Sequence, residues 1–104
     1  MSIKKYTTEE IQNIGLGQAG VAFLGDSDTY TPPSGQVVVA IQFVEDTVLA
    51  SETAADSLWP TNAQAGPGTN SVAIGSTTFL AGMTIYGRWT AVDFASGKAL
   101  LYLG

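Results

Sequence analysis

From Gln36 to Val44 the chain places an apolar side chain on every second residue, Val37, Val39, Ile41 and Phe43, with Gln42 among the residues between them. Side chains repeat with a period of two on an extended strand, and β-branched residues suit that pleated backbone. The segment therefore reads as a central strand with one face in a core. Glu45-Asp46 interrupts it, and Thr47 to Ala50 resumes as a partner strand. Runs of similar texture lie at Val21 to Leu24, Val72 to Ile74, Thr77 to Leu80, Thr84 to Phe94 and Lys98 to Leu103. Turn-forming clusters separate them: Gly25-Asp26-Ser27-Asp28, Thr31-Pro32-Pro33-Ser34-Gly35, Gly75-Ser76, Ala81-Gly82 and Ser96-Gly97. No amphipathic helical pattern follows residue 20. Short strands at this spacing predict an all-β fold, a small sandwich or barrel of mostly antiparallel strands.

With 104 residues the chain has room for a single core. Residues 1 to 20 differ in texture: Lys4-Lys5, a capping-box pair at Thr7 and Glu10 that allows a short helix over about residues 8 to 13, then Gly15-Leu16-Gly17-Gln18-Ala19-Gly20. The reading is an extended N-terminal arm ahead of one β domain, 21–104, with Ile11, Ile14 and Leu16 as apolar anchors and Lys4 and Lys5 meeting an acidic partner surface. Residues 51 to 71, including Trp59-Pro60, are rich in Ala, Thr, Asn, Gly and Pro and read as a long loop. Loops of that length in small domains are uncommon and serve contact or function, which makes Trp59 a candidate contact residue.

The sequence offers little catalytic chemistry. It has no histidine and no cysteine, so the usual general base, thiol nucleophiles, thiolate metal sites and disulfides are all missing. Without a base to activate it, Ser27 in Gly25-Asp26-Ser27-Asp28 reads as a turn residue. Gly15 to Gly20 spells Gly-x-Gly-x-x-Gly, but no strand precedes it and no helix follows, so it is not a dinucleotide loop. Asp26 and Asp28 provide two oxygen ligands without the rest of a calcium loop. The expectation is a protein that is not an enzyme, with no cofactor, no metal and no small-molecule substrate. A net charge of −5 and four basic residues argue against a nucleic-acid partner. No apolar run suits a signal peptide or a membrane span, so a soluble, unexported chain is expected.

Charged residues are 12% of the chain and hydrophobic residues 45%. A free monomer ordinarily carries about twice that share of charge, so much of this surface is expected to face protein. The last strand sharpens the point, since Ala99, Leu101 and Leu103 fill one face while Leu100 and Tyr102 fill the other. One face serves the domain's own core; the second lies at the centre of a fully covered sandwich, remains an exposed apolar patch, or is covered by another copy, and with so few charges the expectation is a homo-oligomer, a trimer. In Thr84 to Phe94, Ile85 and Trp89 share the core face and Tyr86, Arg88 and Val92 the opposite one. Arg88 is expected to be partly buried and paired with a carboxylate of a neighbouring subunit, with Glu45, Asp46, Glu52, Asp56 and Asp93 as candidates. Asp93 and Lys98 flank the Ser96-Gly97 turn and read as an exposed pair.

Over residues 34 to 104 the sequence resembles small virion proteins of tailed bacteriophages, of the capsid decoration or cement type. The resemblance is carried by Ser34-Gly35-Gln36-Val37 leading into Val38, Ala40, Ile41, Gln42 and Phe43, by Met83-Thr84-Ile85-Tyr86-Gly87-Arg88-Trp89-Thr90, and by Ser96-Gly97-Lys98-Ala99-Leu100. It implies a compact β domain on the outer surface of a virion, made as a soluble protein in the host cytoplasm. There it binds as a homotrimer to a shell of major capsid protein, with no nucleic acid or membrane as partner. A tail, neck or fibre component would carry the same features. A carbohydrate-binding module with Trp59, Tyr30 and Trp89 as its platform is the third reading.

Overall fold

The computed structural model describes residues 20–25, 28–75 and 77–104. Seven strands appear in chain order: β1 (Val21–Leu24), β2 (Thr29–Tyr30), β3 (Val38–Phe43), β4 (Thr47–Ala54), β5 (Thr78–Phe79), β6 (Thr84–Ser96) and β7 (Ala99–Leu103). All pair antiparallel in one hydrogen-bonded sheet of order β1-β7-β3-β6-β4-β5, with β2 added on β6. The all-β expectation thus holds. Beyond shifts of one or two residues at strand ends, three features differ from the sequence reading. β4 continues to Ala54, taking Ser51 to Ala54 from the expected loop, because each pairs or packs along β6. Val72 to Ile74 form no strand; Ile74 instead packs on the core while its N–H donates to the Thr61 carbonyl at 3.0 Å. The β4–β5 connection therefore runs from 55 to 77. β2 is a two-residue strand that sequence patterning did not register.

The sheet folds over itself along β6. This 13-residue strand pairs β3 through its first half and β4 through its second. Two observations show the fold-over. In a flat sheet β3 and β5, three strand positions apart, would stand about 14 Å from each other. Instead Phe43 of β3 stacks on Phe79 of β5 with ring centroids 4.7 Å apart and planes 1° from parallel. Register shifts supply the bend: Thr53 pairs Ala91 while Ala54 pairs Trp89, so Thr90 is an extra residue on β6. A second shift on β3 sets Val39 as an extra residue opposite β7. Bulges of this kind sharpen twist and let one strand serve two layers.

Each bulge also reverses the alternation. On β3, Ile41 and Phe43 face the core as read from the sequence and Val39 is fully buried, but Val38 joins the core cluster where Val37 and Val39 were expected. On β6, Val92 enters the core with Trp89 and Phe94, so its expected placement beside Tyr86 and Arg88 is overturned. The core cluster is completed by Leu24, Leu49, Phe79, Ala99, Leu101 and Leu103. Trp89 is buried as expected of a large aromatic, and its indole N–H donates to the Pro60 carbonyl at 3.1 Å, tying the long connection to the core.

Candidate interaction surface

The register places the residues of the second sheet face in two rows. In one, Phe23, Leu100, Gln42 and Thr84 lie side by side across β1, β7, β3 and β6; in the next, Val21, Tyr102, Ala40 and Tyr86 do so. Directly opposed residues of antiparallel strands share a face, so the two rows form one surface. None of the eight is charged. Phe23 is 60% exposed and Tyr86 56%, and Val21 is exposed as well, while Leu100 and Tyr102 are half-buried among them. The Tyr102 hydroxyl donates to Gln42 Oε1 at 2.9 Å, which fixes the middle of the surface. The sequence-derived candidates Tyr86, Leu100 and Tyr102 come together here. Val21 and Phe23 were missed as surface residues because four residues of strand do not by themselves reveal which face is inward.

Arg88 follows Tyr86 by two residues on the same face of β6, at the border of these rows. Its guanidinium is 3.9 Å from Asp56 Oδ2 of the same chain, and both side chains are 19% exposed. The expected partial burial and carboxylate partner are present, but the partner is not a neighbouring subunit's: strand β4 ends at Ala54 and Ala55 donates to the Arg88 carbonyl at 2.8 Å, which delivers Asp56 to the arginine locally. Asp56 Oδ1 in turn accepts from the Leu58 N–H at 2.9 Å. Asp93 and Lys98 do not pair. Asp93 accepts from the Thr29 hydroxyl at 2.9 Å, and Lys98 reaches Glu45 at 3.5 Å in an exposed pair worth well under about 1 kcal/mol. The other member of the acidic pair, Asp46, accepts from the Ala81 N–H at 3.0 Å. Lys4, Lys5, Ile11, Ile14, Leu16 and Asp26 lie outside the described residues. Asp28 Oδ2 accepts from the Gly25 N–H at 3.0 Å, as a turn residue does.

The connection after β4 is held by its own side chains. Asn62 donates through Nδ2 to the carbonyls of Leu49 at 2.7 Å and Ala50 at 2.8 Å, and its N–H donates to Glu52 Oε1 at 2.6 Å. Thr61 is buried, and Trp59 is half-buried with its carbonyl accepting from Gln64 Nε2. Trp89 at 1% exposure cannot share an open face with Trp59 and Tyr30, so the aromatic sugar platform is not formed. Among the described residues no group of three or more histidine, cysteine, aspartate or glutamate side chains is placed to hold a metal, and no helix is long and apolar enough to cross a membrane.

Glu52 carries a consequence for pH. Burial pushes its carboxyl above the ordinary value of 4.5, with the Asn62 N–H pulling the other way more weakly. Its Oε2 is buried without a hydrogen-bond partner among the described residues, as is Asn62 Oδ1. A raised folded-state pKa means that the native protein holds the proton more tightly than the unfolded chain. The protonated group's stabilisation is complete below about 4.5 and is lost as pH rises through the higher folded value. Glu52→Gln keeps an acceptor for Asn62 and adds a neutral donor. It should be more stable than the parent at pH 7 by about 1 kcal/mol, with the difference vanishing at pH 4. Thermal unfolding at the two pH values checks this; equal destabilisation at both would show that the carboxylate is better solvated than its burial implies. No protein-family model, no curated protein and no solved structure matches this chain.

Proposed function

We propose that this chain is a non-enzymatic structural protein of a virion, one that decorates and stabilises a tailed-bacteriophage capsid as a cement protein and assembles as a homotrimer. The observation that carries the reading is the pair of uncharged rows on the second face of the sheet, with Phe23, Val21 and Tyr86 open to solvent. A small monomer gains nothing from displaying aromatic side chains in register, whereas a protein that works by adhering to copies of itself gains affinity from them. Charge separation supports the same reading. Among the described residues the acids Asp28, Glu45, Asp46, Glu52, Asp56 and Asp93 lie off these rows, so a copy of a chain with net charge −5 can cover them with little repulsion. The capsid as the site of action comes from the sequence resemblance over residues 34 to 104.

The expected result in light scattering is a species three times the 10.8 kDa chain mass. Phe23→Glu must desolvate a carboxylate on association, yet the side chain it replaces is exposed in the monomer. It should weaken self-association by about tenfold or more with the unfolding midpoint of the monomer unchanged. Added to phage heads that lack it, the protein should bind in hundreds of copies over the head surface. Binding in few copies at the tail or neck would move it to those structures, and a monomer with no affinity for phage particles would overturn the proposal.

A further inference from the structure

Strand β6 has two edges. β3 takes one edge from Thr84 to Trp89 and β2 the same edge at Val92 and Asp93, while β4 takes the other from Trp89 to Ser96. Antiparallel strands bond through alternate residues. The Phe43 N–H donates to the Met83 carbonyl at 2.9 Å, so Ile85 bonds to Ile41, its register partner, and Thr84 and Tyr86 turn their N–H and C=O groups to the β4 side. Arg88, next in that series, has its carbonyl taken by Ala55 at 2.8 Å. Past that point the chain has left the sheet, and among the described residues no strand lies against Thr84 and Tyr86 on that edge.

A cleft of about 380 Å³ opens at this place. Its near wall is Thr84, Ile85, Tyr86 and Trp89, and its far wall Pro60, Ile74 and Phe79. Thr84 and Tyr86 point to one face of β6 and Ile85 to the other, so a cleft touching all three runs along the strand edge, not over a face. Apolar walls beside a row of main-chain donors and acceptors in strand repeat are the two halves of a β-addition site, in which the backbone supplies affinity and a side-chain pocket supplies selection.

We propose that this edge and cleft take an extended peptide segment of a partner protein, which adds a strand against Thr84 and Tyr86 and seats one aromatic or branched aliphatic side chain between Ile74 and Trp89. The two open residues present donors and acceptors at the spacing of an extended backbone. The electrostatics select a neutral or basic segment: six acids stand among the described residues against two cations, and both cations are in ion pairs, Arg88 with Asp56 and Lys98 with Glu45. Thr84 and Tyr86 also belong to the self-assembly rows, but the peptide uses their main-chain edge and the cleft, whereas self-assembly uses their side-chain face and Phe23 on the far strand.

A displayed library of random short peptides, selected in parallel on the parent protein and on Ile74→Trp, which fills the cleft, tests it. The parent should enrich peptides with one central aromatic or branched residue and no acids, and these should bind Ile74→Trp at least about tenfold more weakly. A synthetic copy of an enriched peptide should slow hydrogen exchange at the Thr84 and Tyr86 amides. The same peptide N-methylated at alternate backbone positions should lose about tenfold or more, and this arm decides the matter should Ile74→Trp fail to fold. Enrichment of no sequence, or binding that survives N-methylation in both alternations, would overturn strand addition and leave at most an apolar ligand cleft. Slow exchange of those amides in the peptide-free protein, appearing with concentration, would assign the edge to a second copy and overturn a distinct partner.

Discussion

Gly97→Ala should destabilise the domain by about 3 to 5 kcal/mol, the sum of a backbone penalty and an overpacking penalty. Gly97 sits in the β6–β7 turn with φ of +93°, a conformation that side chains with a Cβ rarely adopt. Space is closed as well as conformation. A Cβ there would stand 2.6 Å from the Asp46 carbonyl oxygen and 2.6 Å from Thr47 Cα, and against the Thr47 hydroxyl. Those atoms belong to the start of β4, and Thr47 is fully buried with its hydroxyl donating to the Glu45 carbonyl at 2.8 Å, so they cannot withdraw without shifting the strand. Chemical denaturation of the purified variant gives the value. Gly35→Ala and Gly82→Ala are the controls, since those glycines have φ of +85° and +91° with nothing within 4 Å of the added carbon. They report the backbone penalty alone and should lose about 1 to 2 kcal/mol. If Gly97→Ala lost no more than they do, the close packing of turn on strand would be wrong.

The second large effect is expected at Gly87, which lies mid-strand in β6 with no conformational demand of its own. Trp89, two residues on and therefore on the same face, lays its ring over it: an added Cβ would meet indole carbons at 2.5, 2.7 and 2.9 Å. A glycine paired with a covering aromatic is a known way to keep a strand's weakest residue shielded. Gly87→Val would expel the indole, break its bond to the Pro60 carbonyl and release the loop it anchors, a loss of about 3 to 5 kcal/mol comparable to truncating a buried tryptophan. The pair should be strongly non-additive. In a Trp89→Leu background, Gly87→Ala should be nearly neutral, because the ring it would strike is gone. Additive losses would show that Gly87 is needed for its backbone and not for the ring above it.

The Gly87–Trp89 pairing illustrates what sequence patterning can and cannot convey. Alternation identified β1, β3, β6 and β7 and the burial of Trp89, Ile41 and Phe43, because each depends on residues next to one another in the chain. It mistook the faces of Val38 and Val92, since a bulge adds one residue without leaving any mark in composition, and every position beyond it is reversed. The interaction surface was half legible. Tyr86, Leu100 and Tyr102 stood out as apolar residues on a strand's second face, but that they meet Phe23 and Val21 follows from the pairing of β1 with β7, which no local pattern encodes. Asp56 was one of five acids offered to Arg88, and choosing among them required the position where β4 ends. The cleft beside β6 left no sequence signal at all, being formed where one long strand outlasts its neighbour.

The order of the strands has a bearing on how the domain comes into being. β7 lies between β1 and β3, so two strands made early have no partner on their facing edges until the last strand in chain order has been synthesised. A ribosome-bound chain would hold Ile41, Phe43 and Leu24 beside open strand edges, and the closing contacts join residues some eighty positions apart, as in Ala22 with Leu101. Chains of this topology fold slowly and are most prone to aggregate while incomplete. Yield should therefore respond more steeply to expression temperature than the equilibrium stability of the finished domain does, with loss into inclusion bodies preceding any loss of folded protein once made.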